Sequence, residues 1–161
     1  MSTIPELVEQ LATALKARGQ FMATAESCTG GLIAGACTDL SGSSDWFERG
    51  FVTYSNAAKC EMLGVPAALI EAHGAVSEPV ARAMAAGAVV NAHAHWSVAV
   101  TGVAGPTGGS ADKPVGTVWF GWCVNGVTHS ERQRFDGDRA AVRAATVQHA
   151  LAGLLARLQL N

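Results

Sequence analysis

The sequence predicts an α/β fold: a three-layer α/β/α arrangement around a mixed, mostly parallel sheet that includes one antiparallel hairpin. Three observations predict it. Helical and strand patterns alternate along the chain. Apolar runs such as "HWSVAVTG" read as fully buried strands, the kind that lie beneath helical layers. Asn125-Gly126, set between "VGTVWFGWCV" and "VTHSERQRF", is the strongest short-range signal for a type I′ hairpin turn, so part of the sheet runs antiparallel.

The elements follow in order. Thr3-Ile4-Pro5-Glu6 reads as a capping box with proline in the first turn. Leu7, Leu11 and Leu15 then recur at helical spacing until Gly19 stops the helix. "QFMATA" is a short strand that leads into "ESCTGGLIAGACTDL", helical from about Gly30. "SGSSDW" is a loop, and "RGFVTYS" is a second strand, rich in β-branched and aromatic residues. "NAAKCEML" is a short helix ended by Gly64, and "PAALIEAHG" is a further helical turn. Ser77, with Pro79 in the first turn, opens a helix that runs to about Ala92. The strand "HWSVAVTG" ends in a glycine-rich loop, "VAGPTGGSADKP". After the hairpin, an amphipathic helix spans 138–158.

Composition narrows the function classes. The 161 residues are 49% hydrophobic and 15% charged, which fits a single domain, 1–161, with a sizeable core. Net charge is −2 without a basic block, which argues against nucleic acid as a partner. The N-terminus shows no signal-peptide pattern, and the most apolar stretch is broken by Arg82, Asn91 and two histidines, so no membrane partner is expected. The four cysteines are widely spaced and form no CxxC pair, as free thiols in a reducing cytoplasm would be. The histidines lack HExxH or comparable spacing, so neither a metal nor a cofactor is expected.

Two segments place small residues where a strand ends. In one, Ser27, Cys28 and Thr29 precede Gly30-Gly31; in the other, Thr101 precedes Gly102 and Gly105. Ligands of open α/β sheets sit beyond the carboxyl ends of strands, and glycine lets backbone N–H groups approach them. The start of a helix favours a phosphate or an oxyanion. Neither segment matches GxxxxGK[ST] or GxGxxG. Tyr54 and Lys59 lie at the end of the second strand, and a lysine in a partly buried site can lose its proton and activate a serine. Arg139 and Arg143 share one helix face, where arginines can hold a phosphate. Each pattern also has a plain reading, as packing or a solvated face. Spacing leaves both Ser27 and Cys28 open as nucleophile, although successive side chains leaving a strand point opposite ways.

Six segments occur in a fixed order: "AESCTGG", "FVTYSNAAK", "GAVSEPVARAMA", "VTGVAGPTGG", "KPVGTV" and "FDGDRAAVR". On these the chain resembles the CinA C-terminal domain family, the nicotinamide-nucleotide amidases, over about 5–158. The resemblance implies cleavage of the carboxamide of nicotinamide mononucleotide to nicotinic acid mononucleotide and ammonia, in pyridine nucleotide salvage. It implies Ser27 as nucleophile, with Tyr54 and Lys59 beside it, and a role for Thr101. It places the family's C-terminal arginine on Arg143, with Arg139 one turn earlier. It also implies a homo-oligomer, and the absence of the pyrophosphatase-linked domain of longer family members. The competing expectations are a nucleotide-binding regulatory module without catalysis, and a serine amidase acting on a related amide.

Overall fold

The computed structural model describes all 161 residues. Helix α1 (Ile4–Arg18) starts at a capping box: Glu6 N–H donates to Thr3 Oγ1 at 3.2 Å, and Thr3 N–H donates to Glu6 Oε2 at 2.9 Å. It ends on Gly19 in the left-handed region. Then come β1 (Met22–Glu26), α2 (Leu32–Thr38), β2 (Phe47–Val52), α3 (Asn56–Leu63), α4 (Ala67–His73) and α5 (Glu78–Ala92). The chain closes with β3 (Trp96–Gly102), β4 (Thr117–Val124), β5 (Val127–Arg134) and α6 (Arg139–Gln159).

The strands form one sheet in the order β2-β1-β3-β4-β5. β1 pairs in parallel with β2 and β3, whereas β4 runs antiparallel to both its neighbours. This is the three-layer mixed sheet the sequence predicts. Asn125 and Gly126 both take positive φ, as the type I′ turn requires.

Every residue of β1 is buried, because helices cover both faces. Alternation sorts its side chains. Met22 joins a core built with α1, α2 and α6, which includes Leu11, Ile33, Trp96 and Leu151. Ala25 joins a second core under α3, α4 and α5, which includes Leu63, Val80, Met84 and Ala99. The alanine-rich α5 therefore lays its alanine face on the chain's own sheet. Its close approach to α3 depends on Gly87, where a Cβ would lie 2.0 Å from the Leu63 carbonyl oxygen. No helix is long and apolar enough to cross a membrane.

Three boundaries differ from the sequence reading. α2 begins at Leu32, not Gly30, because Gly30 and Gly31 both adopt positive φ and form a turn. β2 ends at Val52 instead of running to Ser55. Thr53 N–H still donates to Glu26 O at 2.8 Å, after which the chain leaves the sheet and Ser55 caps α3 by accepting from Ala58 N–H at 3.0 Å. The loop at "SGSSDW" contains a single 3-10 turn, Ser43–Asp45.

Gly87→Ala is expected to lower the unfolding free energy by about 1–3 kcal/mol, since only backbone movement relieves the clash. Gly35→Ala, where nothing lies within 4 Å of the added Cβ, is the control. It should be neutral or stabilising by up to about 1 kcal/mol. Urea unfolding of both variants checks the pair of signs.

Candidate active site

The site forms where β1 ends. Ser27 N–H donates to Val100 O at 3.1 Å, which carries the parallel ladder one residue further. Gly30 N–H then closes a tight turn on Ser27 O at 3.1 Å, and Leu32 N–H bonds Thr29 O at 3.1 Å. The alternation of β1 continues through this turn. Ser27 faces the α3 layer, while Cys28 enters the core beneath α1 and α6.

Lys59, on the first turn of α3, meets Ser27. Its side chain is 1% exposed. Nζ lies 3.1 Å from Ser27 Oγ, 3.0 Å from Thr53 O and 3.1 Å from Tyr54 O. No ion pair includes it. Burial without a carboxylate partner pushes its pKa below the ordinary lysine value. A neutral amine has two N–H bonds and one lone pair. The two carbonyls take the N–H bonds, which leaves the lone pair for the Ser27 hydroxyl proton.

The other candidates separate into those that reach the cleft and those that support it. The cleft, of about 250 Å³, is lined by Ser27, Cys28, Tyr54, Lys59, Thr101, Gly102 and Arg139, with Asn56, Ala75, Val76 and Ala104. Burial holds the Cys28 thiol protonated, with its pKa up at about 11. The Tyr54 side chain is exposed and its hydroxyl has no hydrogen-bond partner; it is the Tyr54 carbonyl that touches Lys59. Thr101 Oγ1 donates to Ala75 O at 3.0 Å, tying the end of β3 to the cleft wall. Arg139 Nη1 donates to Gly105 O at 2.9 Å. Thr29, Gly30, Gly31, Gly105 and Arg143 do not line the cleft. Arg143 instead sits behind the Ser27 turn, where Nε donates to Cys28 O and Nη2 to Thr29 O, both at 3.2 Å. A roomier apolar hollow of about 360 Å³ lies between the N-terminus and α6. Its one hydroxyl, that of Ser2, has no side-chain hydrogen-bond partner, and its one titratable side chain, His149, is paired with Glu131 at 2.8 Å. Of the two, only the smaller, more polar cleft brings a hydroxyl into contact with a buried amine.

The sequence reading missed the cleft-lining Asn56, Ala75, Val76 and Ala104, and it missed a charged residue that supports the site from behind. Glu26, the last residue of β1, is 1% exposed. Its carboxylate accepts from Thr29 Oγ1 at 2.5 Å, Ile33 N–H at 2.8 Å and Ala34 N–H at 3.0 Å. It thus satisfies the first amides of α2, which no N-cap side chain covers, and anchors the turn that presents Ser27. The available signal was an acid at a buried strand position just before a glycine pair and a helix start. No three His, Cys, Asp or Glu side chains cluster as metal ligands would.

Fold and cleft together define a three-layer α/β protein with a buried serine–lysine pair at the carboxyl edge of its sheet. The particular family follows from comparison: residues 5–158 match the CinA C-terminal domain, and the chain belongs to that family. It is 54% identical over 151 residues to nicotinamide-nucleotide amidohydrolase PncC of Escherichia coli (strain K12), covering 93% of this chain and 92% of that protein. The PncC protein of Pseudomonas putida is 54% identical over 155 residues, covering 96% and 97%. Among solved structures, the competence/damage inducible protein CihA of Agrobacterium tumefaciens superposes with a TM-score of 0.93 at 47% identity, covering 99% of each chain. The competence damage-inducible protein A of Klebsiella pneumoniae superposes with a TM-score of 0.95 at 41% identity, covering 98% of each.

Two outcomes follow from this geometry. Glu26→Ala strands a hydroxyl and two amides in the interior and should cost about 1–3 kcal/mol of stability by urea unfolding, with Glu26→Gln costing less. The second concerns Lys59 and pH. Between its lowered folded-state pKa and the ordinary value of 10.5, the unfolded chain binds the extra proton, so stability rises with pH there. Relative to Lys59→Met, the native protein should gain stability as the pH climbs from neutral towards 10.5. A flat difference between the two unfolding series would mean that the amine is not held neutral by burial.

Proposed function

We propose that this chain hydrolyses the carboxamide of nicotinamide mononucleotide to nicotinic acid mononucleotide and ammonia, with Ser27 as nucleophile and Lys59 as its base. The observation that carries this reading is the buried contact of 3.1 Å between Lys59 Nζ and Ser27 Oγ, in a chain 54% identical to proteins named nicotinamide-nucleotide amidohydrolase. The reaction belongs to pyridine nucleotide salvage, in which the amide is converted to the acid for reuse.

The residues support the following sequence. Neutral Lys59 takes the Ser27 hydroxyl proton as Oγ bonds to the amide carbon. The resulting ammonium keeps the Thr53 and Tyr54 carbonyls as acceptors, which stabilises its charge. The oxyanion is met by backbone N–H groups of the turn. Those of Cys28, Thr29 and Gly31 have no partner within the chain. Lys59 returns its proton to the departing nitrogen, the C–N bond breaks and ammonia leaves. Water then attacks the ester and passes a proton through Lys59 to Ser27 Oγ as the acid is released. The phosphate of the nucleotide lies towards the glycine-rich loop after β3 and an arginine of α6.

Ser27→Ala should lower turnover of nicotinamide mononucleotide by about a thousandfold or more, and Lys59→Met similarly, with the double variant no worse than either. Ammonia release and product mass, followed with a chelator present, measure this. Near-normal turnover by Ser27→Ala would sink the serine mechanism. The base must be unprotonated, so kcat/KM should rise with pH along a limb whose midpoint lies below 10.5.

A further inference from the structure

The two arginines near the start of α6, Arg139 and Arg143, sit one turn apart, and their environments differ. Arg143 is half-buried, and its Nε and Nη2 are both committed to successive backbone carbonyls, Cys28 O and Thr29 O. It reaches the turn from the α1–α2–α6 side, whereas the Ser27 hydroxyl faces Lys59 on the α3 side. Arg139 lies at the first position of the helix, about 6 Å further along its axis. It is exposed at the mouth of the cleft and uses a single N–H, from Nη1 to Gly105 O. The rest of its planar fork carries no hydrogen bond and no carboxylate partner.

The cleft wall holds two cationic residue types and no acid: Lys59 at the deep end and Arg139 at the solvent end. Lys59 is spoken for by Ser27 and two carbonyls. The helix start is a poorer place for an anion, because the Asp138 carboxylate sits there as the cap, accepting from Ala141 N–H at 2.9 Å, and repels a second negative group. A dianionic phosphate monoester whose amide end reaches Ser27 therefore finds one free charged donor, and a guanidinium fork is the donor best matched to it.

We infer that the α6 arginines divide their work: Arg139 binds the substrate's phosphate and sets the preference for a nucleotide over its nucleoside, while Arg143 is a positioning residue that holds the Ser27 turn through the Cys28 and Thr29 carbonyls. The second half follows from peptide geometry. In a trans peptide the carbonyl and the next N–H point opposite ways. Fixing Cys28 O against Arg143 directs Thr29 N–H away from α6, where an oxyanion donor is needed. Fixing Thr29 O likewise aims Gly30 N–H back at Ser27 O, the bond that closes the turn.

The inference rests on the amidase reading, and the test separates the two. Steady-state kinetics with nicotinamide mononucleotide and with nicotinamide riboside would be compared for native protein, Arg139→Ala and Arg143→Lys. Arg139→Ala should raise KM for the nucleotide about 10- to 100-fold with little change in kcat, and reduce the nucleotide-over-nucleoside preference by the same factor. Arg143→Lys loses the two-point grip and should lower kcat for both substrates while keeping the preference; thermal melting shows whether it is folded. Retained preference in Arg139→Ala, or lost preference in folded Arg143→Lys, overturns the assignment. Binding supplies the independent arm. Thermal stabilisation of Ser27→Ala by nicotinamide mononucleotide should weaken when Arg139→Ala is added. Undiminished stabilisation in that double variant overturns the assignment even if the native protein is an amidase. If native protein releases no ammonia yet stabilisation still depends on Arg139, the amidase reading fails and the phosphate assignment stands.

Discussion

An amine buried without a counter-charge is the constraint on which the site depends. Lys59 lies in the interior with two backbone carbonyls and one hydroxyl as its only polar neighbours. A charged amine there would lack the solvation that water provides, so burial favours the neutral form. Neutral, it is a base with one open lone pair, and the carbonyls of Thr53 and Tyr54 aim that lone pair at Ser27. These carbonyls are free for Lys59 because β2 stops at Val52. A strand continuing through Thr53 and Tyr54 would spend those carbonyls on sheet pairing or turn them away from Lys59. At the other end of α3, Gly87 lets α5 close on Leu63.

The end of β1 carries a second buried ionisable group, on the opposite face. Glu26 and Ser27 are adjacent and so point to opposite layers, the acid towards α2 and the hydroxyl towards α3. Glu26 receives three hydrogen bonds, as an interior carboxylate requires, and in return fixes Thr29 and the start of α2. Arg143 grips the same turn from α6. One short loop is thus held by an acid on its own strand, an arginine on the last helix and a lysine on the third. The Ser27 hydroxyl owes its placement to all three layers of the fold.

The location of the cleft follows from topology. From β1 the chain passes through α2 on one face to reach β2. From β2 it passes through α3, α4 and α5 on the other face to reach β3, on the far side of β1. At the carboxyl edge the chain thus leaves β1 towards β2 and leaves the adjacent β3 towards β4, in opposite directions, which opens a crevice where open α/β sheets bind ligands. The glycine-rich loop after β3 and the first turn of α6 close its outer side, and the loop is tied to α6 by Arg139 and to His73 O by Lys113 at 2.8 Å. The same fold recurs in the Agrobacterium and Klebsiella structures, so the crevice is a property of the architecture and the chemistry is a property of the side chains in it.

The sequence by itself determined the alternation of elements, the hairpin at Asn125-Gly126, the capping box at Thr3 and the set of loops that carry small residues. These are local matters, decided by periodicity, turn chemistry and caps within a few residues. It also brought Ser27, Lys59, Thr101 and Arg139 forward as candidates, because strand ends and helix starts are visible as patterns. Only the tertiary structure decided which of them meet. That Ser27 and not Cys28 faces Lys59 depends on which layer each side of β1 confronts. That the Tyr54 carbonyl, not its phenol, touches the lysine depends on the bend after β2. Glu26 was hidden because an acid in a strand reads as exposed until its three donors, drawn from Thr29, Ile33 and Ala34, are folded over it. Arg139 and Arg143 were indistinguishable on one helix face, since residues one turn apart share a pattern. They separate in space because the helix crosses the edge of the sheet, leaving one guanidinium against the backbone of the turn and the other at the open mouth of the cleft.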